Sequence, residues 1–536
     1  MIRPTRASKR TRVLDAAEAV ELIPSNAVVT VSSSSALGCP DEILRALGER
    51  FARTGEPRNL TTVHPIAAGD MYGVKGIDHI AARGLLARVI AGSYPSGPSS
   101  MEPPLIWQRI AEDSIEAWNL PSGVIFQQHR AGATGQPGVF TTVGLGSFID
   151  PRNEGGALTP STPVGYVRTM EIDGVEYLHF PPIVPDVAIL RATTADEHGN
   201  LTYEHEGSPL GALDQAYAAH NNGGLVIAQV KRLVKAGTIP PQQVRVPGIL
   251  VDAVVLAPEQ WQTTQTPYDP SISGEVFAPE TAIEPLEFGL EKVIARRAAR
   301  ELRPGWIVNL GFGISAGVPR VLAEEGRAES VTWAIEQGPV GGFPLTGFAF
   351  GCARNPDAIM QSADQFTLLQ GGGIDAAVLS FLEIDSEGNV NVSYLPGRLH
   401  VTAGVGGFAD IVNGAPRIVF AGYFTAGKKH IEIENGGLRI IEDGTVAKLT
   451  ERVSRITFSG RQALARGKQV TYVTERCVME LRAEGITVTE LAPGVDLQRD
   501  VLDRAGFPLL IADELRVMDP SIFEPWPFSV DRSVVS

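Results

Sequence analysis

The same sequence unit occurs twice in this chain, once in each half. The first pair of matching segments covers residues 22–40 (LIPSNAVVTVSSSSALGCP) and 302–319 (LRPGWIVNLGFGISAGVP). Both begin with Leu-x-Pro, continue through a β-branched strand pattern and a loop of small residues, and end at Gly-x-Pro, where a helix is predicted. Because internal similarity marks a repeated structural unit, the pair predicts two copies of one arrangement of strands and helices.

A second pair of segments supports this duplication. Residues 187–201 (VAILRATTADEHGNL) match residues 376–390 (AAVLSFLEIDSEGNV), and both contain Asp-x-x-Gly-Asn. Asp and Asn hydrogen-bond to nearby backbone and Gly accepts a left-handed conformation, so this motif predicts a tight turn between two strands. The two pairs follow each other in the same order in both halves, which favours duplication over chance similarity.

Predicted strands alternate with predicted helices in both halves. This alternation predicts an α/β fold class, with two related open α/β domains built on mainly parallel sheets. A chain of 536 residues also exceeds what one hydrophobic core normally serves. We assign residues 15–260 to an N-terminal domain, 261–284 to a linker rich in Pro, Gln, Thr and Ser, and 285–536 to a C-terminal domain.

The two ends of the chain carry further predictions. The first residues, MIRPTRASKRTR, are basic without an apolar face, so we interpret residues 1–14 as a basic arm rather than a transit peptide. Near the other end, TYVTERCVMEL predicts a strand running towards a helix. The following LAPGVDLQRDVLDRAG predicts a turn and an amphipathic helix.

Charge and cysteine content exclude several classes of protein. The formal net charge of −15 argues against a nucleic-acid binder and against a binder of anionic membranes. The longest apolar runs, such as 225–230 and 418–424, are too short to span a bilayer. The three cysteines are far apart and form no Cys/His cluster, so we expect no metal site, and a sparse cysteine set is typical of the reducing cytoplasm.

One carboxylate has the position expected of a catalytic group. The apolar run Val331–Ile335 predicts a buried strand and leads directly into Glu336. Five glycines and two prolines follow by Gly351, in EQGPVGGFPLTGFAFG, which predicts a loop with closely approaching backbone. Ligands of open α/β sheets bind beyond the carboxyl ends of the strands. The alternative is an acidic residue that merely ends a strand.

The glycine loops of the second half exclude several known types of binding and catalytic motif. They occur around 309–317, 336–342, 371–375 and 404–410, but none forms a dinucleotide fingerprint, a Walker loop or a hydrolase elbow. What remains is a carboxylate among exposed backbone N–H groups. A carboxylate can attack an activated acyl group such as a thioester, and N–H donors can hold the resulting oxyanion.

The motifs as a set resemble those of family I CoA-transferases of the acyl-CoA:acetate/3-ketoacid type, in the form where both halves are fused. EQGPVGGFPLTGFAFG resembles that family's E-x-G-x-x-G-G-x-P-x-x-G-x-x-F-G around its glutamate nucleophile, here Glu336. QGGGIDAAVLSFLEIDSEGNVNVS and GVGGFADI resemble its CoA-side loops, and YVTERCVMEL with ELAPGVDLQRDVL resembles its C-terminal signature. AWNLPSGVIFQQHRAGATGQPGVF resembles the N-domain loop that faces the glutamate, so the resemblance spans most of residues 15–525.

The resemblance implies a reaction. CoA would pass from an acyl-CoA to a short-chain carboxylic acid of the acetate, propionate or 3-ketoacid class. The route would be ping-pong, through a glutamyl-CoA thioester on Glu336, with no permanently bound cofactor and no metal. It also implies a homo-oligomer, either a dimer or a tetramer. The alternatives are an acyl-CoA hydrolase on the same scaffold and a non-catalytic acyl-CoA-binding module, against which the intact EQGPVGG segment argues.

The resemblance also implies further site residues. The oxyanion and CoA-binding loop would contain Gly404, Gly406 and Gly407, with the donating N–H at Gly406 or Gly407. The loops on the CoA side would contribute Gly311, Gly313, Gly371, Gly372 and Asn389. In the basic cluster 428–430, Lys428 is a candidate for the CoA phosphates, although a solvated surface run is the alternative.

Two departures from the family pattern concern the acyl-substrate side. The family usually has Pro-Gln-Gly where this chain has Pro121-Ser122-Gly123, and the shorter serine removes an oxyanion donor. Such a loss typically costs about 10²–10³ in rate. Either Ser122 acts through water, Gln127 or Gln128 replaces the amide, or the substrate differs. Many relatives also have Gly-His-Trp where residues 92–94 are Gly-Ser-Tyr. Nearby, Arg130 either orients a substrate carboxylate or pairs with a structural acid.

Overall fold

The first half of the chain forms a parallel sheet with helices against it. The structure is a computed structural model that describes residues 11–279 and 283–525. The strands of the first half are β1 (Arg12–Leu14), β2 (Val28–Val31), β3 (Leu60–His64), β4 (Leu86–Ala91), β5 (Glu116–Asn119), β6 (Val139–Thr141), β7 (Arg168–Ile172), β8 (Val175–Phe180), β9 (Val187–Asp196), β10 (Leu201–Thr202), β11 (Leu225–Val234) and β12 (Ala253–Leu256). The helices are α1 (Ala16–Val20), α2 (Asp41–Thr54), α3 (Leu105–Ala111), α4 (Ser122–Thr134) and α5 (Ala212–Asn221).

The strand order of this first sheet is β1-β12-β11-β9-β2-β3-β4-β5, and every neighbouring pair along it is parallel. The short β10 pairs antiparallel with β9, and β6, β8 and β7 form a separate small sheet. All ten residues of the central β9 are buried, as expected for a strand covered on both faces.

The second half forms another sheet. Its strands are β13 (Ile307–Leu310), β14 (Thr332–Trp333), β15 (Pro339–Val340), β16 (Phe343–Pro344), β17 (Ala353–Arg354), β18 (Ala358–Ile359), β19 (Ala376–Ser380), β20 (Glu383–Ile384), β21 (Val390–Asn391), β22 (Arg417–Ala421), β23 (Thr425–Ala426), β24 (His430–Glu434), β25 (Gly437–Glu442), β26 (Val446–Ala447), β27 (Gln469–Val473), β28 (Cys477–Arg482), β29 (Gly485–Leu491) and β30 (Leu510–Val517). Its helices are α6 (Leu290–Ala299), α7 (Val318–Glu324), α8 (Ser362–Gln370), α9 (Phe408–Gly414) and α10 (Gly460–Ala465).

The two sheets repeat one topology. The second sheet has the order β14-β13-β19-β22-β27-β28-β29-β30 and is parallel from β14 to β27. Its segment β14-β13-β19-β22-β27 corresponds strand for strand to β3-β2-β9-β11-β12 of the first sheet. The predicted internal duplication and the α/β fold class are therefore confirmed.

The Asp-x-x-Gly-Asn motifs form the same turn in both copies. In both copies, the Asp Oδ1 accepts the backbone N–H groups two and four residues further on. Both distances are 2.9 Å in residues 196–200 and 3.1 Å in residues 385–389. Gly199 and Gly388 have φ of +81° and +73°, the left-handed conformation that the motif predicts. Asn389, a predicted CoA-side residue, thus belongs to a structural turn.

The predicted extent of the basic arm needs correction. The arm does not extend to residue 14, because Arg12–Leu14 forms β1 and pairs with β12 at the sheet edge. Residues 1–10 of that arm lie outside the described residues, as do 280–282 of the linker. The described part of the linker is not a loose spacer: Ile272 is 2% exposed and packs with Leu37 of the first half and Cys352 of the second. The domain boundaries themselves stay a prediction.

The predicted helix after TYVTERC is wrong. Residues 477–482 form β28, which pairs antiparallel with β27 in a hairpin. Tyr472 and Met479, which face each other across this pair, are both fully buried, so the segment is stabilised by sheet pairing and burial. Further on, 497–501 form one wide turn of π-helix followed by a 3₁₀ turn, a shorter helical segment than predicted.

Candidate active site

Glu336 lies just beyond an edge strand of the second sheet. The strand β14 is only two residues long, and the chain continues through buried Ala334 and Ile335 to the carboxylate. Asn309 at the carboxyl end of β13 donates from Nδ2 to the Ala334 carbonyl at 2.8 Å, which fixes this exit. A β-carbon added at Gly338 would lie 2.2 Å from the Met360 carbonyl oxygen, so the glycine of EQG is required by close backbone approach.

The Glu336 carboxylate is half-buried and has two hydrogen-bond donors. Gln337 Nε2 donates to Oε1 at 3.1 Å, and the backbone N–H of Gly407 donates to the carboxylate. Removal from water raises the pKa of Glu336 to about 7, and the two hydrogen bonds oppose this rise. At neutral pH the group is therefore ionised in a large fraction of molecules and less stabilised by water than an exposed carboxylate.

The loop 404–407 is held against the first half by a buried asparagine. Asn119, at the end of β5, accepts the N–H of Val405 at Oδ1 (2.8 Å) and donates from Nδ2 to the Gly92 carbonyl (2.6 Å). The N–H of Gly406 also donates to the Gly92 carbonyl, at 2.7 Å. Of the two N–H groups predicted as oxyanion donors, that of Gly406 is already bonded to the Gly92 carbonyl, whereas that of Gly407 donates to Glu336.

The N-terminus of α4 packs on the same loop. The N–H of Ser122 donates to the Gly406 carbonyl at 2.9 Å, and the N–H of Gly123 donates to Asp410 Oδ2 at 3.0 Å. Ser122 is fully buried, and its Oγ has no hydrogen-bond partner among the described residues. A β-carbon at Gly92 would lie 2.4 Å from that Oγ, so the hydroxyl is packed against backbone.

The sequence analysis did not identify Asp410 or the two glutamine side chains that are hydrogen-bonded in series to it. Asp410 is fully buried, and its Oδ1 accepts Nε2 of Gln370 at 2.6 Å. Gln370 Oε1 in turn accepts Nε2 of Gln127 at 2.6 Å. Burial, and secondarily the charge of Glu336, raises the pKa of Asp410 to about 7. The available signal was a carboxylate directly after a glycine loop in GVGGFADI, at the start of an otherwise apolar helix.

The two glutamines proposed to replace the missing amide have other partners. Gln127 reaches Asp410 through Gln370, as described above, and Gln128 donates to Tyr166 Oη at 3.0 Å and to the Pro181 carbonyl at 2.7 Å. Neither is hydrogen-bonded to Glu336 among the described contacts. Arg130 pairs with Asp214 at 3.0 Å and with Asp364 at 2.5 Å. Of the two roles considered for Arg130, the pairing with structural acids is therefore the one observed.

The second departure from the family pattern is also packed behind the loop. Tyr94 is fully buried, and its Oη donates to the Trp118 carbonyl at 2.8 Å. Ser93 Oγ accepts the N–H of Ala67 at 2.9 Å. The two side chains thus bond to Trp118 and Ala67, and neither contacts Glu336 in any described interaction.

The remaining predicted residues are spread along the second sheet. Gly311 and Gly313 follow β13, the neighbour of β14, and flank Phe312, whose side chain is 68% exposed. Lys428 is exposed and lies between β23 and β24, which come after β22 in the chain. Gly371 and Gly372 close the carboxyl end of α8, where they are exposed and end the helix rather than meet Glu336.

Within the described residues no group of His, Cys, Asp and Glu has the arrangement of a metal site. Nor does any helix in residues 11–279 or 283–525 have the length and apolarity needed to cross a membrane.

Comparison with known proteins gives matches along the whole chain. A sequence profile of the family described as Coenzyme A transferase matches residues 13–257. The chain is 40% identical over 524 residues to the acetate CoA-transferase YdiF of Escherichia coli (strain K12), covering 97% of each protein. It is also 40% identical over 521 residues to the caffeate CoA-transferase of Acetobacterium woodii, covering 96% of this chain and 98% of that protein.

The fold matches a solved structure equally well. The crystal structure of the acyl-CoA transferase YdiF from E. coli O157:H7, in a thioester complex with CoA, superposes with a TM-score of 0.88. That comparison covers 98% of each chain at 38% sequence identity.

Proposed function

The chain belongs to the coenzyme A transferase family, and on that premise we propose that Glu336 is the residue that carries CoA during transfer. The protein is a CoA-transferase that acts on acyl-CoA and short-chain carboxylic acids. The observation that carries the proposal for Glu336 is the pairing of a half-buried carboxylate with the Gly407 N–H, on a loop clamped by the other half of the chain.

The geometry suits two successive acyl transfers. Glu336 attacks the thioester carbonyl, the C–S bond breaks, and CoA thiolate leaves behind an acyl-glutamyl anhydride. The thiolate then attacks the Glu336 carbonyl, the C–O bond breaks, and the free acid leaves a glutamyl-CoA thioester. An acceptor carboxylate reverses both steps, so no net proton, ATP or metal is required. The Gly407 N–H, which donates to Glu336 at rest, is suited to hold the oxyanion of each tetrahedral state.

Ser122 is not needed as a donor in this scheme. Its hydroxyl is fully buried against Gly92, whereas its backbone N–H supports the Gly406 carbonyl. The role we propose for it is to hold the loop that carries Gly407. A backbone N–H then takes the place of the usual glutamine side chain as the donor to the oxyanion. Substrates are selected by how they are positioned at this N–H and not by a contact with a side-chain amide.

The body of CoA would lie along the carboxyl edge of the second sheet. Going from β14 through β13 and β19 to β22, this edge presents Glu336 and then the Gly311–Gly313 loop, and the chain that leaves β22 reaches Lys428 after β23. Three strand spacings of about 4.8 Å separate β14 from β22, or about 14 Å. Lys428 is exposed and has no hydrogen bond or ion pair among the described residues, so its charge is available to a CoA phosphate.

Acetate or another short acid is the acceptor that we propose, by analogy with the acetate CoA-transferase of E. coli. The similarly related protein from A. woodii is named for caffeate, so aromatic acids belong in the substrate panel. We also propose a homo-oligomer that works in the cytoplasm. The three buried, unpaired cysteines are compatible with a reducing compartment.

The test is a half-reaction without acceptor. Wild-type protein mixed with excess acetyl-CoA should release one equivalent of acetate per site and then stop, because CoA remains on Glu336. Glu336→Gln should release none, whereas Glu329→Gln, a change at an exposed glutamate of the same half, should behave as wild type. Continuous acetate and CoA release without acceptor would instead favour the hydrolase, and release by Glu336→Gln would refute the proposal.

A further inference from the structure

Two carboxyl groups share one apolar corner of the site. A β-carbon at Gly407 would lie 2.0 Å from Glu336 Oε2 and 2.8 Å from the Phe366 ring. A β-carbon at Gly123 would lie 2.8 Å from Asp410 Oδ1 and 2.9 Å from the same ring. Glu336 and Asp410 therefore approach Phe366 from two neighbouring glycines, and Phe366 is itself buried.

Both groups also lie at the N-terminus of α9. Glu336 accepts the N–H of Gly407, which precedes the first residue of this helix, and Asp410 is its third residue. Asp410 Oδ2 in addition accepts the N–H of Gly123 in the first turn of α4. Two carboxylates in a corner without water repel each other strongly.

We propose that Asp410 is a positioning residue for the transfer reaction. Its carboxyl group fixes the first turn of α4 beside Glu336 and holds the proton that keeps the two carboxyl groups from being charged together. This inference rests on the proposed role of Glu336, because it concerns what happens when that residue loses its charge.

The other charged groups near Asp410 do not supply a counter-ion. His129 on α4 uses its two ring nitrogens on Thr30 Oγ1 and the Ile125 carbonyl. Arg130 on α4 and Asp364 on α8 pair with each other at 2.5 Å. The neutral amide of Gln370 is the side chain that bonds to Asp410. Among the described neighbours, Glu336 is thus the one whose charge acts on Asp410, and that charge raises its pKa.

The consequence is a proton that moves with the covalent chemistry. Formation of the thioester converts the Glu336 carboxylate and an acyl-CoA into a neutral glutamyl-CoA and a free carboxylate, without a net proton. Removal of the Glu336 charge then lowers the pKa of Asp410, whose O–H bond breaks and releases a proton to solvent. Return of CoA to an acceptor acid restores the Glu336 charge, and Asp410 takes the proton back.

The experiment measures this proton directly. Wild-type enzyme is mixed with stoichiometric acetyl-CoA in weakly buffered solution with a pH indicator near pH 7, while intact mass monitors the thioester in parallel. We expect release of a substantial fraction of one proton per site. Asp410→Asn should form the thioester but release clearly less proton than wild type, because only the protonated fraction of Glu336 then contributes. Asp364→Asn, a matched acidic neighbour on α8, should release as much as wild type.

The outcomes are distinguishable. A thioester with undiminished proton release in Asp410→Asn would refute the role of Asp410, since the proton would then come from Glu336 itself. A thioester in wild type without any proton release would refute it as well. Failure to form the thioester in wild type would refute the proposed function instead.

A second variant covers the case in which Asp410→Asn does not fold. In Glu336→Gln the neighbouring charge is permanently absent, so the infrared carbonyl band of protonated Asp410 should disappear at a lower pH than in wild type. An unchanged titration of that band would overturn the proposed coupling.

Discussion

A single methyl group at Gly407 is predicted to disable the enzyme without unfolding it. Gly407 has φ of −83°, a conformation that alanine also adopts, so Gly407→Ala introduces no backbone strain. The added β-carbon would, however, lie 2.0 Å from Glu336 Oε2, whereas an ordinary contact needs at least 3.4 Å. The carboxylate must therefore retreat by about 1.4 Å, the difference between these two distances. Phe366, at 2.8 Å, blocks the other direction.

The expected loss follows from this displacement. A misplacement of about 1 Å costs on the order of 10²-fold in rate, so kcat/KM of Gly407→Ala should fall by about that factor or more. The assay is steady-state transfer from acetyl-CoA to a second acid, with thermal unfolding measured in parallel. Overpacking of this kind costs about 1–3 kcal/mol of stability, so the variant should still fold.

Gly406→Ala is the matched control. Gly406 has φ of +50°, but the space around its α-carbon is open. Alanine there should cost about 1–2 kcal/mol of stability for the left-handed backbone, with less than about a tenfold change in kcat/KM. The reasoning would be refuted if Gly407→Ala retained normal activity, or if both variants lost activity equally.

Four further predictions test other parts of the site. Because the pKa of Glu336 is raised to about 7, the rate of the half-reaction with acyl-CoA should rise with pH through about 7, and a flat stopped-flow profile from pH 5.5 to 8.5 would contradict this. Between pH 4.5, the ordinary pKa of a glutamate, and about pH 7, the native state binds more protons at Glu336 than the unfolded state does. The contribution of Glu336 to the free energy of unfolding therefore falls as pH rises through this range. In denaturant titrations at several pH values, Glu336→Gln should show a weaker fall of the unfolding free energy with pH. Asn119→Ala leaves the Val405 N–H without its buried acceptor and should cost about 2 kcal/mol of stability together with a fall in kcat; unchanged stability and kcat would show that the clamp is unimportant. Ser122→Ala should change kcat/KM by less than about tenfold, since the hydroxyl has no partner, and a loss of about 10² or more would restore it as an oxyanion donor.

The duplicated architecture could be predicted because its signals are local. The strand after Leu-x-Pro and the Asp-x-x-Gly-Asn turn each depend on residues close together in sequence, and both recur in the structure as the same turn and the same strand order. The position of Glu336 beyond β14 could be predicted for a related reason, because a strand that runs into a glycine loop fixes where the next side chain lies.

What could not be predicted depends on contacts distant in sequence. Asp410 meets Gly123 across 287 residues, and no local pattern indicates that a helix from the first half will direct its N–H groups at this carboxyl group. The choice between Gly406 and Gly407 likewise depends on the Gly92 carbonyl, which takes the N–H of one and not the other. The β28 hairpin was missed because the pairing of 477–482 with β27 is a contact between strands that the segment's own sequence does not indicate.

The most direct test of the central claim is to locate CoA on the chain. The enzyme is treated with acetyl-CoA without acceptor, denatured at low pH and digested, and the peptide that contains residues 334–351 is sequenced by tandem mass spectrometry. We predict a CoA-mass adduct on Glu336 that disappears when acetate is added before denaturation. An adduct on another residue, or transfer activity at the normal rate with no adduct at any time, would contradict the proposed mechanism.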